Sequence, residues 1–188
     1  MTPMIIIAII AILVLIFGIS IYNSLISKKN QVANAFSGID VMLKKRFDLL
    51  PNLVETVKQY TQYEGETLTK ITELRGKALS TNATEGDKLA LDQQIGTAVK
   101  GLMVSVENYP DLKANTNFLN LQTTWTESEE QIAAARRNYN ATVTTYNNAV
   151  MMFPSNMFAG MLGYQTMPVL ETASEERKNI SAKELFNS

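Results

Sequence analysis

The stretch Met4–Tyr22 reads MIIIAIIAILVLIFGISIY, and only Gly18 and Ser20 in it are neither large apolar, aromatic nor Ala. At about 1.5 Å of rise per residue, such a run covers roughly the 30 Å hydrocarbon thickness of a bilayer with every backbone group bonded inside the helix. It reads as a membrane-spanning helix, with residues 1–27, which carry no charged side chain, as the anchor. A cleaved signal peptide would show a basic n-region, a shorter apolar core and a small-x-small cleavage site. Here no Lys or Arg precedes the run, the run is long, and Gly18-Ile19-Ser20 is a poor cleavage site followed by Ile21 and Tyr22.

Charge then orients the span. Lys28 and Lys29 follow it directly, Lys44, Lys45 and Arg46 come soon after, and the N-terminal flank has only its amino group. The positive-inside bias predicts an external N-terminus and a cytoplasmic remainder, with Tyr22 at the interface. Two juxtamembrane lysines fall short of an anionic-lipid cluster of about four to eight basic residues.

The 188 residues hold one anchor and one domain of ordinary size. A net charge of −1 with dispersed basic residues gives no nucleic-acid footprint. Cysteine and histidine are both absent, which removes disulfides, thiolate chemistry, the commonest general base and the commonest transition-metal ligand. With no paired-carboxylate, phosphate-loop or nucleophile-elbow spacing either, no enzyme, metal site or cofactor is expected.

Beyond the anchor the apolar period is helical. Alternating steps of four and three from Val32 give Phe36, Ile39, Leu43, Arg46, Leu50, Leu53, Val57, Tyr60, Glu64, Thr67, Ile71, Leu74 and Ala78, a coiled-coil-like seam broken only by Arg46, Glu64 and Thr67. A second seam runs through Phe118, Leu121, Trp125, Ser128, Ile132, Ala135, Tyr139, Thr142, Tyr146 and Ala149, and between them Leu89–Val106 is amphipathic around Leu91, Ile95, Ala98, Leu102 and Val106. Ser80–Gly86 (STNATEG) reads as a loop with Asp87 as the N-cap of the next helix. Pro110 opens a helix that ends at Phe153-Pro154-Ser155-Asn156.

Pro51 permits two readings. Proline disfavours the helical conformation of Leu50 and clashes with the carbonyl four residues back, which suggests a turn at Leu49–Asn52; the seam nevertheless stays in phase across it, as in a kinked continuous helix. Breaks at Pro51, Ser80–Gly86 and Pro110 would make four helices in up-and-down order and bury all the seams on one another. A helix continuing to Leu79 would give a thin hairpin with apolar surface left for a partner chain.

Several motifs carry a family resemblance. Arg46-Phe47-Asp48-Leu49-Leu50-Pro51-Asn52-Leu53-Val54-Glu55, Glu107-Asn108-Tyr109-Pro110-Asp111-Leu112-Lys113-Ala114, Glu129, Ala135-Arg136-Arg137-Asn138-Tyr139-Asn140, Tyr146-Asn147 and Phe153-Pro154, with Tyr22-Asn23 ahead of them, resemble the LemA family over most of residues 20–165. The resemblance implies a single N-terminal membrane helix, a helical-bundle domain and a bacterial setting, and it brings no catalytic activity.

Three features stand out, the first two structural and the third a candidate for interaction. Arg46 sits in the seam, where an unpaired charge would be costly, so a carboxylate partner is expected, with Glu107 and Glu129 the candidates. The Tyr139-Asn140 and Tyr146-Asn147 pairs repeat after seven residues and read as a polar layer locking the core, the tyrosine hydroxyls requiring partners. Met151–Leu170 (MMFPSNMFAGMLGYQTMPVL) has no charge and five of the nine Met. It is expected to cap the bundle end, dock on a partner chain or lie in the membrane interface, with Phe158 and Met161 exposed to that contact.

The expected architecture is therefore all-α: an N-terminal transmembrane helix (1–27), an up-and-down four-helix bundle (28–150), the apolar segment (151–170) and a loose polar tail (171–188). The expected role is a non-catalytic, membrane-anchored scaffold or adaptor in the bacterial inner membrane, its partners the lipid bilayer and a protein. The alternative is a homo-oligomeric membrane-organising protein whose helices pack between protomers.

Overall fold

The computed structural model describes residues 2–61 and 63–170, so the expected loose tail at 171–188 lies outside the described residues. All regular elements among them are helical. They are α1 (Thr2–Lys58), α2 (Gly65–Ala78), α3 (Glu85–Ser105), a 3₁₀ turn (Val106–Asn108), α4 (Pro110–Lys113), α5 (Thr116–Met151) and α6 (Ser155–Met161).

Of the two readings of Pro51 the continuous helix is the one found, and the turn does not form: α1 runs through Pro51 to Lys58, and the turn to α2 falls at residues 59–64. Proline has no N–H to give the carbonyl four residues back, here that of Phe47. Arg75 of α2 supplies the missing donor, its Nε lying 2.9 Å from the Phe47 oxygen. The Phe47 side chain, one of the largest fully buried groups, is packed in the core directly beneath. The helix thus tolerates proline because a neighbouring helix satisfies the acceptor that proline orphans.

The seam keeps its phase along α1 and α2 but not between them, where the chain turns and Tyr60 is exposed. Val32, Phe36, Ile39, Leu43, Arg46, Leu50, Leu53 and Val57 are buried along α1, and Ile71, Leu74 and Ala78 along α2. On α3 the buried stripe is Asp92, Ile95, Val99 and Leu102, followed by Val106 in the 3₁₀ turn. Phe118, Trp125 and Ile132 bury the corresponding face of α5.

Two helix starts differ from expectation. Thr84, not Asp87, is the N-cap of α3, and Asp87 is the N3 partner in a reciprocal capping box: the Asp87 amide donates to Thr84 Oγ1 at 3.2 Å and the Thr84 amide to Asp87 Oδ2 at 2.9 Å. Thr with a carboxylate three residues later satisfies two orphan amides reciprocally, which a lone Asp cap would not do. The Thr84 hydrogen bonds hold the Asp87 carboxyl below its ordinary value. Pro110 does sit in the first turn of a helix, but that helix is the short α4, and α5 starts separately, with Asn115 Oδ1 accepting from the Phe118 amide at 3.1 Å.

The chain divides into two compact units. One is the segment Asn34–Arg137, holding α2, α3, α4 and the adjoining parts of α1 and α5. The other combines residues up to Ala33 with those from Asn138 onward. In this second unit Val32, Val143 and Tyr146 form a buried cluster, flanked by Tyr139, Val150, Tyr164 and Met167. From Met4 to Phe17 every residue of α1 is exposed.

Candidate interaction sites

Within the Asn34–Arg137 unit, charge is concentrated where α1, α3 and α5 meet. Arg46 Nη1 donates to Asp92 Oδ1 at 3.2 Å and its Nη2 to Glu129 Oε1 at 2.8 Å, while Arg136 Nη2 donates to the second Asp92 oxygen at 3.3 Å. The guanidinium carbon of Arg46 stands 4.0 Å from the centre of the Trp125 ring, a cation–π placement. Gly96 of α3 faces the same guanidinium: a Cβ there would lie 3.6 Å from Nη2, in ordinary van der Waals contact.

Two arginines and two carboxylates sum to zero charge, which is the condition under which burial is tolerable. Arg46 and Asp92 are each 4 % exposed, whereas Glu129 opens to solvent. Burial pushes the Asp92 carboxyl above its ordinary value, against the pull of Arg46 and Arg136, and Glu129 adds to the rise. The Nε atoms of Arg46 and Arg136 are buried without an acceptor. Chemically the cluster clamps three helices together.

Glu129 is thus one partner of Arg46. Glu107 is not: it lies exposed in the 3₁₀ turn and pairs with Lys113 of α4. Tyr109 and Pro110 stand beside it at the start of α4, away from the charged core, the Tyr109 amide donating to Val106 O at 2.9 Å. Asp92 is the residue that sequence reasoning missed. It stands three before Ile95 and seven before Val99, so a carboxylate embedded in the apolar stripe of α3 was the available signal.

In the other unit, the two Tyr-Asn pairs of α5 hold the chain that follows α6. The Asn147 amide donates to Met167 O and accepts from Met167 N, both at 2.8 Å, and Asn140 does the same with Leu170, both at 2.8 Å. Seven residues of helix rise about 10.5 Å. Three residues of extended chain span about 10 Å, so the two side-chain amides match the strap's own repeat. Tyr146 is buried, its hydroxyl donating to Gln165 O at 2.9 Å, and burial pushes that hydroxyl above its ordinary value. Tyr139 is half-buried on the same cluster.

Upstream of the strap, α6 ends in a Schellman motif. Gly163 takes φ +70°, its amide donates to Gly160 O at 3.3 Å, and the Tyr164 amide donates to Ala159 O at 3.0 Å. A left-handed residue after the last turn is what glycine provides without strain. Ala159 is buried and Phe158 half-buried, with the Phe158 ring against Gly18 of α1, where a Cβ would come within 3.3 Å of it. Phe153, Met157 and Met161 are exposed. The Met151–Leu170 segment therefore combines a strap clamped onto α5 with an apolar apex that the described chain leaves uncovered.

Comparison with known proteins gives the family. The LemA family model covers residues 35–183. Protein LemA of Metamycoplasma hominis is 31 % identical over 165 residues, covering 88 % of this chain and 75 % of that protein. Two magnetosome proteins are similar at lower identity: MamQ 2 of Paramagnetospirillum magneticum at 25 % and MamQ of Magnetospirillum gryphiswaldense at 23 %, each aligned with 77 % of this chain. The chain spans 62 % of the length of each of these two. By the extent of the family match and the identity to Protein LemA, the chain belongs to the LemA family.

Proposed function

We propose that this protein is a membrane-anchored, non-catalytic scaffold. In this reading α1 crosses the bacterial inner membrane with its N-terminus outside, and the Asn34–Arg137 unit is a cytoplasmic up-and-down four-helix bundle that offers its surface to a protein partner. The observation that carries the reading is α1 itself. One unbroken helix supplies both an exposed apolar run long enough to cross a bilayer and the buried seam from Val32 to Val57. Such a helix ties a folded domain directly to the membrane.

The charged cluster where α1, α3 and α5 meet suits a structural role. The carboxylates of Asp92 and Glu129 are both engaged by arginines. Light scattering on the full chain in detergent, coupled to size exclusion, tests the reading. A scaffold gives the mass of one chain, joined by a protein that co-purifies from membranes in fixed ratio. A particle several-fold heavier and made of this chain alone would favour self-assembly as the organising principle.

A further inference from the structure

Two uncharged stretches, far apart in sequence, meet in the fold. Residues 1–27 carry no charged side chain, and neither does any residue from Asn138 to Leu170. Among the described residues of this unit, the charged side chains are therefore Lys28 and Lys29 alone. Lys29 is occupied, its Nζ lying 5.4 Å from the centre of the Tyr164 ring.

The contact of Phe158 with Gly18 sets a depth for α6. Gly18 precedes Tyr22 by four residues and Lys28 by ten, or about 6 Å and about 15 Å along α1. If α1 spans a bilayer, α6 lies beside it on the apolar side of both interfacial markers. Seven residues cannot cross a membrane, which takes about 20. Measured from Tyr22, a short apolar helix at this depth occupies one leaflet only, within the roughly 5–10 Å that interfacial helices reach.

Part of the backbone in the turn before α6 is paired within the segment. The Met152 amide donates to Asn148 O at 2.8 Å and the Asn156 amide to Met152 O at 2.9 Å. Ser155 Oγ donates to that same Met152 oxygen at 2.9 Å, and the Leu162 amide to Phe158 O at 3.0 Å. Each such bond lowers the cost of holding non-helical backbone near lipid. The exposed side chains, by contrast, are apolar: Phe153 is 81 % and Met161 85 % exposed, with Met151, Met152 and Met157 beside them.

We infer that α6 and the turn before it form a wedge inserted into the leaflet next to Lys28, with Phe153, Met157 and Met161 in contact with lipid acyl chains. The inference rests on the proposed membrane span of α1. Continuity selects lipid as the occupant, because the apex adjoins the stretch of α1 that itself faces acyl chains.

The absence of native cysteine makes the test direct. Single variants Ile12→Cys, Val104→Cys, Met157→Cys and Met161→Cys of the full chain would carry a nitroxide label in phosphatidylethanolamine/phosphatidylglycerol vesicles. Accessibility to oxygen and to a water-soluble nickel chelate is then read at each site. The expected result is a lipid-type ratio, with oxygen dominating, at 12, 157 and 161, the last two shallower than 12, and a water-type ratio at 104. Water-type ratios at 157 and 161 with lipid exposure at 12 would overturn the wedge and leave the anchor intact. Water-type ratios at 12 as well would overturn both. Low access to either reagent at 157 and 161, with dipolar broadening between labels, would also overturn the wedge, since a second copy would then cover the apex.

Discussion

Arg75 Nε donates to the Phe47 carbonyl oxygen at 2.9 Å, and Phe47 stands four residues before Pro51. The bond replaces the intrahelical one that proline cannot make. Leaving a buried acceptor unsatisfied costs about 1–3 kcal/mol, whereas the partly exposed pairing of Arg75 with Asp48 at 3.7 Å adds little. Arg75→Met should therefore destabilise the domain by about 1–2 kcal/mol with Pro51 in place. Paired with Pro51→Ala, which returns an amide to Phe47, the same change should cost clearly less. Urea unfolding of the four variants measures the coupling; additive effects would mean that Arg75 acts independently of Pro51.

The cluster around Arg46 makes a second cycle. Removing one member of a buried ion pair costs about 3–5 kcal/mol because the other is stranded. Arg46→Leu and Arg46→Ala both strand Asp92 in part, but Ala also leaves a void against Trp125, so its unfolding midpoint should fall further. Midpoints of both variants equal to the parent's would show that the ion pairs with Asp92 and Glu129 contribute nothing to stability.

The raised Asp92 carboxyl reverses the usual acid response. In the unfolded chain the group titrates near its ordinary value of 3.8, and in the folded domain above it. The folded state therefore binds the extra proton between the two values, and stability from this residue falls as pH rises through that window. Asp92→Asn has no such titration. The stability of the parent relative to Asp92→Asn should be greatest below the ordinary value and decline toward neutral pH, as followed by chemical unfolding at a series of pH values. A relative stability that rises with pH would mean that attraction to Arg46 and Arg136 outweighs burial.

The strap on α5 should open locally. Asn147→Leu removes both hydrogen bonds to Met167, each worth about 1 kcal/mol. Hydrogen exchange at the Met167 amide should accelerate by about tenfold or more, the equivalent of 1.4 kcal/mol or more of lost protection, while the amides of α3 keep their rates. Equal acceleration throughout the chain would show that the strap is integral to global stability.

Much of this fold was legible because its period is regular. Buried positions on α1 from Val32 to Val57 follow the alternating seam, and Ile71, Leu74 and Ala78 keep its phase on α2. Pro51 admits two readings from sequence because its compensation comes from Arg75, on the following helix, and no local rule carries that information. Asp87 was read as a cap because a carboxylate after a loop suits either the N-cap or N3, and only geometry separates them. The partners of Arg46 were half legible. Glu129 shares a face of α5 with Trp125 and Ile132, but Glu107 lies beyond the end of α3, where a turn directs it to Lys113. The match between Asn140, Asn147 and the strap was invisible, since it depends on an extended segment running antiparallel to a helix.

The orientation of the chain in the membrane is the most direct test of the account. Alkaline phosphatase, active only outside the cytoplasm, and a fluorescent protein that matures only inside it can each be fused after Ser188. The basic residues following the uncharged span predict bright cells with the fluorescent fusion and no phosphatase activity with the other. Strong phosphatase activity without fluorescence would contradict a cytoplasmic scaffold.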